Sequence, residues 1–136
     1  MAEAELSRSD RVSIDESVIS IYKDLTEGSS LEISPFKTMK DVFVFAACLG
    51  YQKGIRKVLP PGKKHTIRME VLSEQDVMLL RAIAIAETKD VHVLSDLGEI
   101  LTIAEEYAFM GIHLLKEELI DQAGRPLWNL VQSVQR

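Results

Sequence analysis

The amino-acid sequence predicts a mainly α-helical protein, a single compact domain of four to five helices with one or two short β-strands. Three observations predict this class. Apolar residues recur at helical spacing over most of the chain, helix-starting residues precede those stretches, and only two short segments alternate polar and apolar residues. The 136 residues include 46% hydrophobic and 27% charged side chains, which excludes a disordered tail protein. The single cysteine excludes an internal disulfide.

The first elements follow a polar start. Residues 1–10 are predicted to form a flexible N-terminal arm, and residues 11–136 a single helical domain. Residues 11–14 alternate like a very short strand, and Asp15 stands where a helix N-cap would accept backbone N–H groups. Residues 16–27 then place their apolar side chains on one face, which predicts an amphipathic helix that ends at Gly28.

The second helix is predicted to begin after Thr38, which together with Asp41 resembles a capping box with Asp in the usual Glu position. Residues 42–49 are apolar almost all the way round, so this helix is expected to lie in the core. Cys48 within it is predicted to act as a small buried hydrophobe with an unreactive thiol.

The second half of the chain carries one more strand pattern and three more helix patterns. Residues 62–72 alternate and predict a strand that could pair with the first one. Ser73 caps a third helix that reaches Glu87 or Thr88, and Ser95-Asp96 opens the fourth and longest helix. Pro126 suits the first turn of a short last helix, in which Trp128 either anchors the helix to the body or, if exposed, marks a partner surface.

The charges are unevenly distributed. The formal net charge is −5, yet no Asp or Glu occurs between Asp41 and Glu70. We call residues 53–68 the basic segment; its six cations are Lys53, Arg56, Lys57, Lys63, Lys64 and Arg68. Such a segment predicts a local positive surface that can meet phosphates. The alternative interpretations are a solvated loop without a ligand, or a loop that docks on the acidic face of another copy.

Catalytic and metal-binding patterns do not occur in the sequence. No Gly-rich phosphate loop precedes a helix, no Ser/His/Asp set can be placed, and the spacing of the three histidines is not that of a zinc site. We therefore expect no enzyme activity, no cofactor and no metal. The start of the chain lacks signal-peptide features, and the apolar stretches are far shorter than the about 20 residues that span a bilayer. A cytoplasmic protein without membrane contact is expected.

The run from Pro35 to Gly54, PFKTMKDVFVFAACLGYQKG, resembles the signature of a small bacterial family associated with DNA phosphorothioation gene clusters, often called dnd system-associated protein 4. The most specific part is the aromatic helix that ends in Gly-Tyr-x-x-Gly and is followed by basic residues. The resemblance extends from about Val12 to Leu130. It implies a role in a modification or restriction defence system and supplies no catalytic residues.

A second, weaker likeness is to ribbon-helix-helix DNA-binding proteins, because the order strand, capped helix, linker and second helix is similar. In that architecture two chains pair their strands into a two-stranded ribbon. The linker from Gly28 to Lys37 is longer than the tight connection that such folds use.

Together these features favour a non-enzymatic accessory protein of a bacterial DNA phosphorothioation modification or restriction system that binds DNA through the six cations of the basic segment. The alternative is a helical protein–protein adaptor of the same kind of system, which docks through its acidic helices and the Trp128 region without nucleic-acid contact. Proteins of that machinery are expected partners in both cases. Opposite charges on the basic segment and the rest of the chain also predict a homo-oligomer.

Overall fold

A computed structural model describes residues 11–135, which fold into five α-helices and one two-stranded sheet. The elements in chain order are β1 (Arg11–Asp15), α1 (Ile19–Thr26), α2 (Met39–Lys53), β2 (Lys64–Arg68), α3 (Glu74–Thr88), α4 (Leu97–Leu119) and α5 (Pro126–Gln135). Three short 3-10 turns cover Glu16–Val18, Met69–Val71 and Val91–Ser95. The prediction of a mainly α domain is confirmed. The predicted arm over residues 1–10 and the last residue, Arg136, lie outside the described residues.

The two strands pair as the alternating patterns predicted. β1 and β2 are antiparallel, with Val12 opposite Ile67 and Ile14 opposite His65. The side chains of Val12 and Ile14 are buried in the core. β2 ends at Arg68, four residues before the predicted end, because the chain turns through Met69–Val71 and buries Leu72.

The sheet differs from the ribbon of ribbon-helix-helix proteins, in which strands of two chains pair. Here β1 pairs with β2 of the same chain. The backbone N–H of Ser13 donates to Oε2 of Glu105 in α4 at 2.7 Å, so a buried carboxylate from the longest helix holds β1 on its second edge.

Side-chain caps begin α3, α4 and the 3-10 turn that precedes α1. Asp15 accepts from the Ser17 N–H, Ser73 and Asp76 form a full capping box, and Asp96 accepts from the Glu99 N–H. These three predictions are confirmed. Thr38 precedes α2 as predicted, but its hydroxyl donates to Oδ2 of Asp41 at 2.9 Å instead of accepting a backbone N–H.

The core is centred on the contact between α2 and α4. The predicted core helix α2 buries Val42, Phe43, Ala46 and Ala47, although Cys48 is only half-buried. The two helices approach so closely that a Cβ at Gly111 would lie 1.8 Å from the carbonyl oxygen of Ala46. Only glycine fits at this crossing, because any side chain there would meet backbone.

The last helix docks through a polar side chain. Asn129 is buried, and its Nδ2 donates to the carbonyl oxygen of Leu119 at 3.1 Å, which occupies one of the end carbonyls of α4. Trp128 is 54% exposed, so only part of its surface is covered by the docking of α5. Among the helices of residues 11–135, none has the length and apolar character needed to span a membrane.

Candidate nucleic-acid interface

The basic segment leaves α2 through a glycine. Gly54 has φ 69°, the left-handed conformation that ends many helices, and its N–H donates to carbonyl oxygens of the last helical turn. The N–H of Ile55 also donates to the carbonyl oxygen of Gly50 at 3.0 Å. Residues 55–63 then form an irregular loop that joins α2 to β2.

Arg56 ties the start of this loop to α3 and α4. Its Nε donates to Oε1 of Glu106 at 2.7 Å, and its NH1 donates to Oε2 of Glu87 at 2.5 Å. The guanidinium also lies 5.8 Å from the ring centre of Tyr107, whose hydroxyl donates to Oε1 of Glu87 at 2.7 Å. We call these four residues the Arg56 cluster.

The electrostatics of the Arg56 cluster favour the charged forms of its ion pairs. The Tyr107 hydrogen bond lowers the pKa of Glu87, and Arg56 lowers it further, against the opposing effect of burial. Burial raises the pKa of Tyr107 to about 12, with the Glu87 carboxylate adding to the shift. Arg56 is therefore committed to two carboxylates of its own chain.

Lys64 closes the other end of the loop. Its ammonium group donates to the carbonyl oxygens of Pro60 at 2.6 Å and Gly62 at 3.1 Å, and it lies 3.1 Å from Oδ1 of the buried Asp15. Hydrogen bonds from Ser17 lower the pKa of Asp15, and Lys64 lowers it further, although burial opposes both. Like Arg56, Lys64 is held by contacts within the protein.

The remaining lysines of the basic segment are exposed. Lys53, Lys57 and Lys63 form no ion pair with any residue that the structure describes, and we call them the three open lysines. The backbone around them is fixed: the N–H of Lys57 donates to the carbonyl oxygen of Glu106, and the carbonyl oxygen of Lys63 accepts from the N–H of Glu16.

Arg68 belongs to neither group. Its NH1 lies 3.2 Å from Oε1 of Glu70, and both side chains are mostly exposed. An exposed pair of this kind contributes little stability, about 0–1 kcal/mol, so an anion can compete for Arg68. The six predicted cations thus divide into three open lysines, one weakly paired arginine, and two residues that hold the loop.

The acidic and aromatic partners of this loop could not be predicted from the sequence. Glu106 and Glu87 are 50 and 31 residues from Arg56, and no local pattern links them. Tyr51, which precedes the basic segment, contacts Tyr107 edge to face, with ring centres 5.5 Å apart.

Other chemistry has little support in the described part of the chain. No group of three or more His, Cys, Asp or Glu residues there could hold a metal ion. Burial raises the pKa of the Cys48 thiol, which disfavours the reactive thiolate. His65, within the basic segment, pairs with Glu16 through its Nε2.

Comparison with known proteins supports the family resemblance that was based on the run from Pro35 to Gly54. No curated protein and no solved structure matches the chain. A family model described as DNA sulphur modification system-associated protein 4 matches residues 11–135, which include both strands and all five helices. The chain therefore belongs to the family of DNA sulphur modification system-associated protein 4.

Proposed function

We propose that this protein is a non-enzymatic accessory component of a bacterial DNA sulphur modification or restriction system and that it binds DNA through the basic segment. Membership of the family supports the system. The observation that carries the DNA contact is the set of three open lysines. Lys53 is exposed at the end of α2, and Lys57 and Lys63 are exposed on the loop that follows, whose two ends are fixed by Arg56 and Lys64.

The loop geometry favours phosphate binding without a large ordering cost. Arg56 and Lys64 hold the loop before DNA arrives, so fewer degrees of freedom are lost on binding. Each lysine presents a compact charge that can displace the counterions of one phosphate. Contacts of this type position a protein on a duplex and carry no direct sequence information.

The magnitude follows from the number of available cations. At about 0.9 per neutralised phosphate, the three open lysines give a slope of about −3 in a plot of log K against log salt concentration. If all six cations of the basic segment contacted phosphates, the slope would be about −5. The measured slope therefore distinguishes contact through the three open lysines alone from contact that also involves Arg56, Lys64 and Arg68.

The test is fluorescence anisotropy of a labelled duplex, with and without phosphorothioate linkages, at several salt concentrations. The test variant changes Lys53, Lys57 and Lys63 to Gln. The control changes three exposed lysines elsewhere, Lys23, Lys37 and Lys89, to Gln and therefore has the same net charge. We expect salt-dependent binding for the wild type and the control and its loss in the test variant.

Two results would contradict the DNA contact. Equal loss of DNA binding in the two triple variants would show that only the overall charge of the protein matters. A wild type that fails to bind DNA at low salt would exclude the basic segment as a DNA site. A preference of the wild type for the sulphur-containing duplex would extend the proposal to recognition of the modification itself.

The adaptor function is the second candidate because α5 carries no charged side chain over Pro126–Gln135 and leaves Trp128 exposed. Exposed tryptophans often supply much of the binding energy at protein interfaces. If the adaptor function is correct, Trp128→Ser will abolish co-purification with tagged modification or restriction proteins of the same system, and the triple Gln variant of the open lysines will not. Co-purification unaffected by Trp128→Ser would count against it.

A further inference from the structure

Helix α3 has apolar side chains on its outward face as well as on its core face. Leu80, Ile83 and Ala84 are buried against the body of the protein. On the opposite side Met78 is 66% exposed and Leu79 is 46% exposed, and the exposed alanines of the same helix continue the apolar surface. A helix with an apolar outer face is typical of an element that contacts a partner.

Charged residues border this face at both ends. Glu74 precedes Met78 by four residues and Arg81 follows it by three, so the acid and the base lie on the same side of α3 with Met78 between them. Both charged side chains are exposed, and neither has an ion-pair partner within residues 11–135. Together with Leu72 and Val77 they line a shallow groove of about 420 Å³.

This pattern is complementary to itself. Consider a two-fold axis that passes beside Met78 and is perpendicular to α3. The α3 helix of the second copy then runs antiparallel to the first, and the flank that carries Glu74 and Arg81 lies on the same side of the interface in both copies. Glu74 of one copy then lies at the height of Arg81 of the other copy, and the reverse pair forms by symmetry. Each residue of the surface thus meets its complement in an identical surface, as in the isologous interfaces of symmetric dimers.

We propose that the outward face of α3 is the contact surface between two copies of this chain, which pack antiparallel with Met78 at the centre. The two Glu74–Arg81 pairs define the register, and the contact between the two Met78 side chains removes apolar surface from water. Antiparallel packing also places the N-terminus of each α3 beside the C-terminus of the other, which the helix dipoles favour.

The fold presents this surface on a rigid support. The Ser73 capping box closes the first turn of α3. The Nζ of Lys40 in α2 lies 2.6 Å from Oδ2 of Asp76 in that turn. Because Glu74, Met78 and Arg81 have their side chains outside the core, their substitution is expected to leave the monomer folded. Circular dichroism of each variant checks this expectation.

The experiment measures self-association by sedimentation velocity over a wide range of protein concentration. We expect the wild type to convert from the 15.3 kDa monomer to a species of twice that mass as concentration rises. Arg81→Glu or Glu74→Arg alone places like charges opposite each other twice in the dimer, and we expect dissociation constants at least about tenfold higher. The double variant Glu74→Arg/Arg81→Glu restores both pairs and is expected to dimerise like the wild type.

The control is Lys37→Glu, which makes the same change in net charge as Arg81→Glu at an exposed site distant in sequence from α3. It is expected to dimerise normally. A monomeric wild type, dimerisation of Arg81→Glu equal to that of the control, or a double variant no better than the single variants would each overturn the proposal. Association through the basic segment instead would be shown by loss of the dimer in the triple Gln variant of the open lysines, and that result would also overturn it.

Discussion

The close crossing of α2 and α4 makes Gly111→Ala the sharpest test of the fold. The added Cβ would lie 1.8 Å from the carbonyl oxygen of Ala46 and 3.0 Å from the backbone nitrogen of Gly50. Because both obstacles are backbone atoms, rotation of a side chain cannot relieve the clash. Restoring ordinary van der Waals distances requires the helices to separate by about 1.5 Å in an interior that is close-packed.

The expected magnitude combines two opposing effects. Alanine favours a helix interior over glycine by about 1 kcal/mol. Overpacking costs about 1–3 kcal/mol and occasionally more; because two backbones must move here, we take a cost of about 3–4 kcal/mol and expect a net destabilisation of about 2–3 kcal/mol. For a domain of this size the melting temperature then falls by about 10 °C.

Urea and thermal unfolding followed by circular dichroism measure this effect. Gly98→Ala is the matched control, since it makes the same change in the same helix where the nearest atom, Oδ1 of Asp96, would be 3.5 Å from the new Cβ. We expect that variant to be as stable as the wild type or up to about 1 kcal/mol more stable. A Gly111→Ala protein as stable as the Gly98→Ala protein would refute the close approach of the two helices.

Three further predictions concern titratable groups. The pKa of Asp15 lies below its ordinary value of 3.8, so its carboxylate stabilises the fold at neutral pH, and this contribution is lost as the pH falls through the lower folded-state pKa. Asp15→Asn should therefore lower the urea midpoint at pH 7, and its difference from the wild type should shrink in acid; a difference that is constant with pH would contradict this. Because burial raises the pKa of Cys48, its thiol should react with iodoacetamide more slowly in the folded protein than in urea at the same pH, and equal rates would count against its burial. Burial raises the pKa of Tyr22 and that of Tyr107, the latter to about 12. In an ultraviolet titration both tyrosines should therefore ionise only above the ordinary tyrosine range. Ionisation of all three tyrosines near pH 10 would contradict the raised pKa values.

The parts of the fold that depend on neighbouring residues could be predicted from the sequence. The caps at Asp15, Ser73 and Asp96 act within three residues, and the strand patterns alternate within five. Thr38 shows the limit of this reasoning, because its hydroxyl has two possible local partners and the cap sequence does not distinguish them.

The position of the candidate site could be predicted from the sequence, but the roles of its individual cations could not. The basic segment could be located because the segregation of its cations is visible in the sequence. Which cations are open depends on carboxylates that the fold brings together, such as Glu87 and Glu106 on two different helices around Arg56. The approach of Gly111 to Ala46 could not be predicted for the same reason, since nothing within either helix indicates how closely the other will pack.

The hydrogen bond between Ser13 and Glu105 has a consequence for synthesis in the cell. The two residues are 92 positions apart, and at about 5–20 residues per second the ribosome makes Glu105 about 5–18 s after Ser13. During that interval β1 exists without the carboxylate that occupies its second edge, and an uncovered edge can pair with other chains. The second edge of β1 is therefore completed late in synthesis, only after the chain has reached α4.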